Sequence, residues 1–434
     1  MVKTEKILII IILIFAFLSS ISLFNYKLIW WDEAVYIGIG KYLYSNGTIG
    51  LFEQIRPLLL PVLLGAFWYI GLDPLISGRI VILLVSLFNI YLTYLIGKKV
   101  FNSKIAILSS LFLAFTPLYY NYSYLLLTGM LSTTFALISI YFFIKERNFK
   151  NISISSFFLG ISFLTRFPQG LLLLPYFIFL TYKREFKNAI SLLTIFLLTI
   201  SPYLIFNFLM YGSIFKPFIK ASEIISEYSW LYSASPLFYF KELFFQNFLF
   251  IFALPSFYYI FKERKGTLIS LIFISYFVFF SIIVHKELRY SLIFLPYLCL
   301  LSSKGIFSLK TKKILIVFLL IPLFFNFWTN ISFSQNNYEK GEIEFYRNFS
   351  KGEIIYSTTP LISYFSDARV IPIYTTLDRA EEFIKKEKPK KIFFSDSFPC
   401  NTEECENKKR GLIEWMKKNY NFTSYEEKLY FFVR

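Results

Sequence analysis

Charge, cysteine and histidine are all scarce in this chain, and each shortage closes off a class of protein. Only 17% of the 434 residues are charged, whereas 56% are hydrophobic and 21% are Phe, Tyr or Trp. A soluble domain of this length carries more charge and far fewer than 55 phenylalanines. Of the three cysteines, Cys299 sits in an apolar run and reads as packing material. Cys400 and Cys405 frame a short NTEE segment; two thiols cannot supply four zinc ligands, and the only histidine, His285, is distant in sequence. In an exported region a disulfide is the better reading of that pair. The ten-residue alternating segments of a β-barrel are also missing, and so are internal repeats.

What the chain does have is apolar stretches of roughly 14 to 20 residues along most of its length, the size helices need to cross hydrocarbon. The net charge of +17 is dispersed in short Lys/Arg clusters between those stretches, so membrane topology explains it better than nucleic acid does. Residues 7–24 lack a small-residue cleavage pattern and read as a retained first span leaving the cytoplasm. An outer loop follows to about residue 56, and residues 57–71 are expected to dip into the outer interface and return. Further spans are predicted over 75–96, 105–118, 125–143, 152–165, 167–181, 189–206, 243–260, 267–284, 291–302 and 313–329. Basic clusters such as GKKVFNSK, KERNFK, YKREFK and FKERKG, with Lys304, Lys310, Lys312 and Lys313, then fall on the cytoplasmic side.

This predicts a polytopic all-α membrane domain of about eleven spans over residues 1–329, followed by a small extracytoplasmic α/β domain over 330–434. In the second part, strand-like runs at 352–358, 368–375 and 390–396 alternate with helix-like stretches at 377–386 and 411–419. No glycine-rich phosphate loop accompanies them, so a supporting or acceptor-positioning role is expected there.

Two motifs carry candidate chemistry. The first is WWDEAVYIGIGKYLYSNG, residues 30–47, just beyond the first span. Its bland reading is an interfacial belt in which Trp30 and Trp31 anchor and Asp32 caps a helix. Its functional reading makes Asp32 a carboxylate base for an incoming hydroxyl or amine, with Glu33 shaping acceptor binding. The second is HKELRY, residues 285–290, holding His285, Lys286, Glu287 and Arg289. Either it is a solvated turn with Arg289 snorkelling, or its basic charge on the outer face serves an anionic headgroup. Arg56, Arg79, Arg166 and Lys216 fall on the same expected side, each an interface anchor or a further phosphate ligand.

The order of WWDE, RPLLLP, LTRFPQG, SPYLIFNFLMYGSIFKP and HKELRY resembles the GT-C fold of membrane glycosyltransferases, in the layout of the protein mannosyltransferase and lipid A aminoarabinose transferase group. HKELRY is also similar to the HKExRF signature of transferases that use dolichyl-phosphate mannose. The resemblance spans about residues 7–329 and implies a polyprenyl- or dolichyl-phosphate sugar donor, inversion at the anomeric carbon, and a conserved first-loop acid, a role that falls on Asp32. Its acceptor would be a lipid, a glycan or a protein. Many relatives carry another acid after the third span, where YYNYSYLLLTGM has none; metal independence is therefore favoured over an acid-bound divalent ion. The rival class is a lipid or glycolipid transporter, which places its charges at the bilayer midplane and often shows repeated halves.

Overall fold

The computed structural model describes residues 3–227, 229–309, 313–331, 338–373, 376–396, 400 and 402–434. Lys310 and Lys312, and the last two residues of the strand expected at 368–375, lie outside them. The chain divides into two compact units. One comprises Met1–Asn25, Arg79–Lys216 and Tyr232–Ser334; the other comprises Tyr26–Gly78, Pro217–Leu231 and Gln335–Arg434. The second unit therefore joins the C-terminal residues to the first outer segment, which the sequence reading assigned to the membrane domain.

The first unit is helical. Its N-terminal helix, Lys3–Asn25, buries Leu8, Ile11 and Phe15 while leaving Ile10, Leu13 and Phe17 exposed on a different face. Exposed apolar faces of that length suit lipid and not water. Among the described residues three helices are long and apolar enough to cross a membrane, Thr4–Asn25, Pro74–Val100 and Phe186–Tyr211; the pair Phe238–Gln246 and Phe248–Glu263 also qualifies if taken as one span bent by 119°. The single helix expected over 243–260 is thus broken. Asn247 is extended, at φ −161° and ψ 102°, and its side chain accepts from the backbone N–H of Leu249 at 3.1 Å. Asparagine favours such caps over helix interiors.

Inside this unit small hydroxyls join the helices. Ser139 on the Thr128–Phe143 helix lies 3.2 Å from Ser155 on the Phe149–Thr165 helix and 3.0 Å from the Tyr176 hydroxyl. Phe143 stacks on Tyr176 with ring centroids 3.9 Å apart. Without water to drive helices together, such close polar and ring contacts supply specificity. Asn102 and Asn148 cap the Ser103–Ala114 and Phe149–Thr165 helices through backbone N–H groups two and three residues on.

The second unit holds a five-stranded sheet: β1 (Ile354–Ser357), β2 (Arg369–Pro372), β3 (Lys391–Ser395), β4 (Asn421–Tyr425) and β5 (Leu429–Val433), in the order β2-β1-β3-β5-β4. β1 is parallel to β2 and β3; β5 is antiparallel to β3 and β4. The first three strands lie where the hydrophobic runs predicted them. The closing hairpin was not anticipated, because β4 is exposed along most of its length and gives little apolar signal. Cys400 and Cys405 form a disulfide.

Two helices from the first outer segment belong to this unit, Trp31–Tyr44 and Leu59–Tyr69. They cross at Gly40 and Gly65, where an added Cβ on Gly40 would stand 2.6 Å from the Gly65 nitrogen. Val35 and Ile39 of the first helix share one core with Ile355, Ile362, Val370 and Phe393 of the sheet region. Gly50, at φ +79°, then bridges the edge of β2: it donates to Ala368 O at 2.9 Å and accepts from Val370 N at 2.7 Å. The outer segment is thus built into the C-terminal fold.

Candidate active site

Asp32 and Glu33 open the Trp31–Tyr44 helix, and both are buried. Neighbouring helical positions diverge by about 100°, and the two carboxylates have different partners. Glu33 Oε2 accepts from the backbone N–H of Trp30 at 2.8 Å, closing the start of its own helix. Asp32 Oδ1 pairs instead with Arg56 Nη2 at 2.9 Å, and Arg56 Nε reaches Glu53 Oε2 at 2.9 Å. Arg56 also lies 5.6 Å from the Tyr36 ring centroid. Burial works against the Arg56 charge, but Asp32 and Glu53 outweigh it and push its pKa well above the ordinary guanidinium value. Arg56, expected to hold phosphate, is therefore found bridging two carboxylates.

The first unit carries the second cluster. His285 and Lys286 are zipped against residues 232–233: Lys286 N donates to Tyr232 O at 2.9 Å, and His285 forms an antiparallel bridge with Ser233. The His285 ring sits 4.3 Å from Tyr232 and 5.7 Å from Tyr290. Its Nε2 meets Glu287 Oε1 at 3.0 Å, while Nδ1 is buried without a hydrogen-bond partner among the described residues. Arg289 closes on the same carboxylate through Nε at 2.6 Å and Nη2 at 2.9 Å. Burial by itself would raise the Glu287 pKa; the His285 hydrogen bond and the Arg289 charge overcome it and bring it down to about 2.

Arg166 joins this cluster from the end of the Phe149–Thr165 helix, with its guanidinium 5.1 Å from the Tyr290 ring centroid. Tyr239 donates its hydroxyl to Glu287 O at 3.0 Å. With one carboxylate among Arg166, Lys286 and Arg289, the group is net basic and suited to an anion.

Arg79 is buried in the Pro74–Val100 helix. Lys216 is exposed at the start of the Lys216–Glu227 helix and forms no ion pair among the described residues. Lys286 turns its ammonium onto Ile283 O, and burial lowers its pKa. Tyr232, Tyr239 and Tyr290 were not singled out as site residues, since in a chain with 32 tyrosines no individual ring stands out. Glu287 and Glu53 were visible in their motifs, but only the fold shows each as an ion-pair partner of an arginine. Among the described residues no group of three or more His, Cys, Asp or Glu could hold a metal ion.

Residues 55–206 match the family model described as dolichyl-phosphate-mannose-protein mannosyltransferase. That stretch contains Arg56, Arg79 and Arg166 and stops short of Asp32 and His285. No curated protein sequence matches the chain. Among solved structures, ArnT from Cupriavidus metallidurans bound to undecaprenyl phosphate superposes with a TM-score of 0.69 at 12% identity, covering 99% of this chain and 97% of that one. The oligosaccharyltransferase AglB from Archaeoglobus fulgidus, in complex with an inhibitory peptide and a dolichol-phosphate, gives 0.60 at 12% identity over 98% and 74% of the two chains. The Archaeoglobus fulgidus oligosaccharyltransferase tethered to an acceptor peptide containing the NVT sequon gives 0.61 at 12% identity over 99% and 74%. The chain has the GT-C fold of membrane glycosyltransferases.

Proposed function

We propose that this protein transfers a glycosyl group from a polyprenyl- or dolichyl-phosphate sugar to a lipid, glycan or protein acceptor at the outer face of the cell membrane. The observation that carries the reading is the Asp32–Arg56 ion pair at the start of a buried helix, in a chain with the GT-C fold. Support comes also from the family description matched over residues 55–206 and from the undecaprenyl phosphate and dolichol-phosphate bound to the ArnT and AglB structures. Nothing in these comparisons favours a transporter. The family description and the AglB structures name transferases.

In the proposed reaction Asp32 accepts the proton of the acceptor hydroxyl or amine. The acceptor atom attacks the anomeric carbon in line, the bond from that carbon to the phosphate oxygen breaks, and the configuration inverts. The departing lipid phosphate leaves with its negative charge, which His285, Arg289 and Arg166 stabilise. Lys286, Arg79 and Lys216 are secondary phosphate ligands in this reading, and Arg56 and Glu33 hold Asp32 and its helix. The transferred group is a hexose or pentose, and no metal takes part. About eleven spans place the N-terminus in the cytoplasm. The membrane domain lies within residues 1–329, whose first outer segment folds with residues 330–434 outside, and the partners are the lipid donor, the acceptor and membrane lipids, with no nucleic acid.

The test is to incubate purified protein, reconstituted with a total membrane-lipid extract and a peptide mixture, with labelled dolichyl-phosphate mannose or undecaprenyl-phosphate aminoarabinose, and to identify products by mass spectrometry. A glycosylated product made by the parent and lost in Asp32→Asn supports the reading. No product from any lipid-phosphate sugar, or undiminished product in Asp32→Asn, overturns it.

A further inference from the structure

Lys41 stands on the same helix as Asp32, nine residues further on and about 13.5 Å along the axis. It is only 5% exposed. Its ammonium donates to Tyr364 O at 3.1 Å, to Ser366 O at 3.0 Å and to Asp367 Oδ1 at 3.1 Å. Three donors thus meet three acceptors, one in the Ile362–Phe365 helix and two in the turn that leads from it to β2. Burial lowers the Lys41 pKa, and Asp367 opposes that fall.

Stability is a poor explanation for this arrangement. The lysine is buried but its carboxylate partner is 43% exposed, and a pair open to solvent on one side adds little to stability, so the three directed contacts serve chiefly to specify geometry. The neighbouring contacts agree. Ser363 Oγ donates to Ala34 O at 3.1 Å, and a Cβ on Gly38 would stand 2.5 Å from that same Oγ. These contacts fix how closely the helix approaches, while Lys41 fixes its far end against rotation and sliding.

We infer that Lys41 is a positioning residue for Asp32: its clamp on the Tyr364–Asp367 turn sets the rotation of the Trp31–Tyr44 helix, so that the C-terminal unit aims the base. This rests on the reading of Asp32 given above. A carboxylate about 6 Å from the helix axis moves by about 1 Å for a rotation of about 10°. A misplacement of that size costs about 10²-fold in rate.

The experiment uses the full-length protein in vesicles and whichever labelled lipid-phosphate sugar gives product. Lys41→Met is expected to lower kcat by about 10- to 100-fold with the donor KM within about twofold, Lys41→Arg to recover most of the loss, and Asp367→Asn to reproduce the Lys41→Met defect. Should Lys41→Met fail to fold, Asp367→Asn and Lys41→Arg decide the matter. An unchanged kcat in Asp367→Asn, or a loss that Lys41→Arg fails to recover and that follows the fall in melting temperature, overturns the inference. Retained transfer in Asp32→Asn is a separate failure: it removes the base assignment, whatever Lys41 does.

Discussion

Arg56 Nη2 lies 2.9 Å from Asp32 Oδ1, so a guanidinium expected to bind phosphate is found holding the candidate base. Its Nε is engaged by Glu53 at the same distance. One arginine thereby ties the start of the Trp31–Tyr44 helix to the segment before the Leu59–Tyr69 helix.

Removing that guanidinium takes from Asp32 and Glu53, both largely buried, the cation they share. Arg56→Ala is expected to destabilise the protein by about 1–3 kcal/mol and to lower transfer. Arg56→Lys, which cannot bridge both acids bidentately, falls between. Melting temperatures in detergent, measured beside transfer rates, check the order; equal stability of all three forms contradicts it.

Glu287 supplies a pH dependence with a defined sign. Its pKa in the folded protein is about 2, against an ordinary 4.5. A depressed carboxylate contributes its stabilisation fully above the ordinary value and loses it as pH falls toward the folded one. Glu287→Gln is therefore expected to be less stable than the parent at pH 7, by about 3 kcal/mol at most, with the gap narrowing between pH 4.5 and 2. A gap that is constant across that range contradicts the assignment.

Glu33 and Asp32 are adjacent but respond differently. Glu33 accepts the Trp30 N–H, so Glu33→Ala is expected to cost about 1 kcal/mol of stability through the lost cap. Its transfer rate should fall far less than that of Asp32→Asn. Side-by-side melting and rate measurements separate the two acids, and an equal collapse of rate in both contradicts the division of roles.

Metal independence is a further expectation. Transfer after dialysis against EDTA should stay within about twofold of the untreated rate, in keeping with electrostatic stabilisation by the basic cluster alone. A loss that added magnesium or manganese restores contradicts it.

Much of this was legible in the sequence, for reasons that can be traced to particular residues. Long apolar runs announced the helices of the first unit, and the apolar runs at 352–358 and 390–396 announced β1 and β3, because periodicity and length are local properties. HKELRY was recognisable since His285, Glu287 and Arg289 are close in sequence as well as in space. Long-range partnership was not. Lys41 and Asp367 are separated by 326 positions, and no local pattern marks them as a pair. The same holds for Gly50 against β2 and for Val35 and Ile39 in the sheet core, which together move the first outer segment into the C-terminal fold. Arg56 reads from sequence as an interface anchor or a phosphate ligand, while its engagement by Asp32 and Glu53 depends on how the loop closes.

The central claim is that Asp32 takes the acceptor's proton. Its most direct test is a single-turnover assay in vesicles with a labelled lipid-phosphate sugar, counting bound donor and transferred sugar in the parent and in Asp32→Asn. The account predicts donor binding within about twofold and transfer lower by about 10²-fold or more. Transfer by Asp32→Asn within about tenfold of the parent would contradict it.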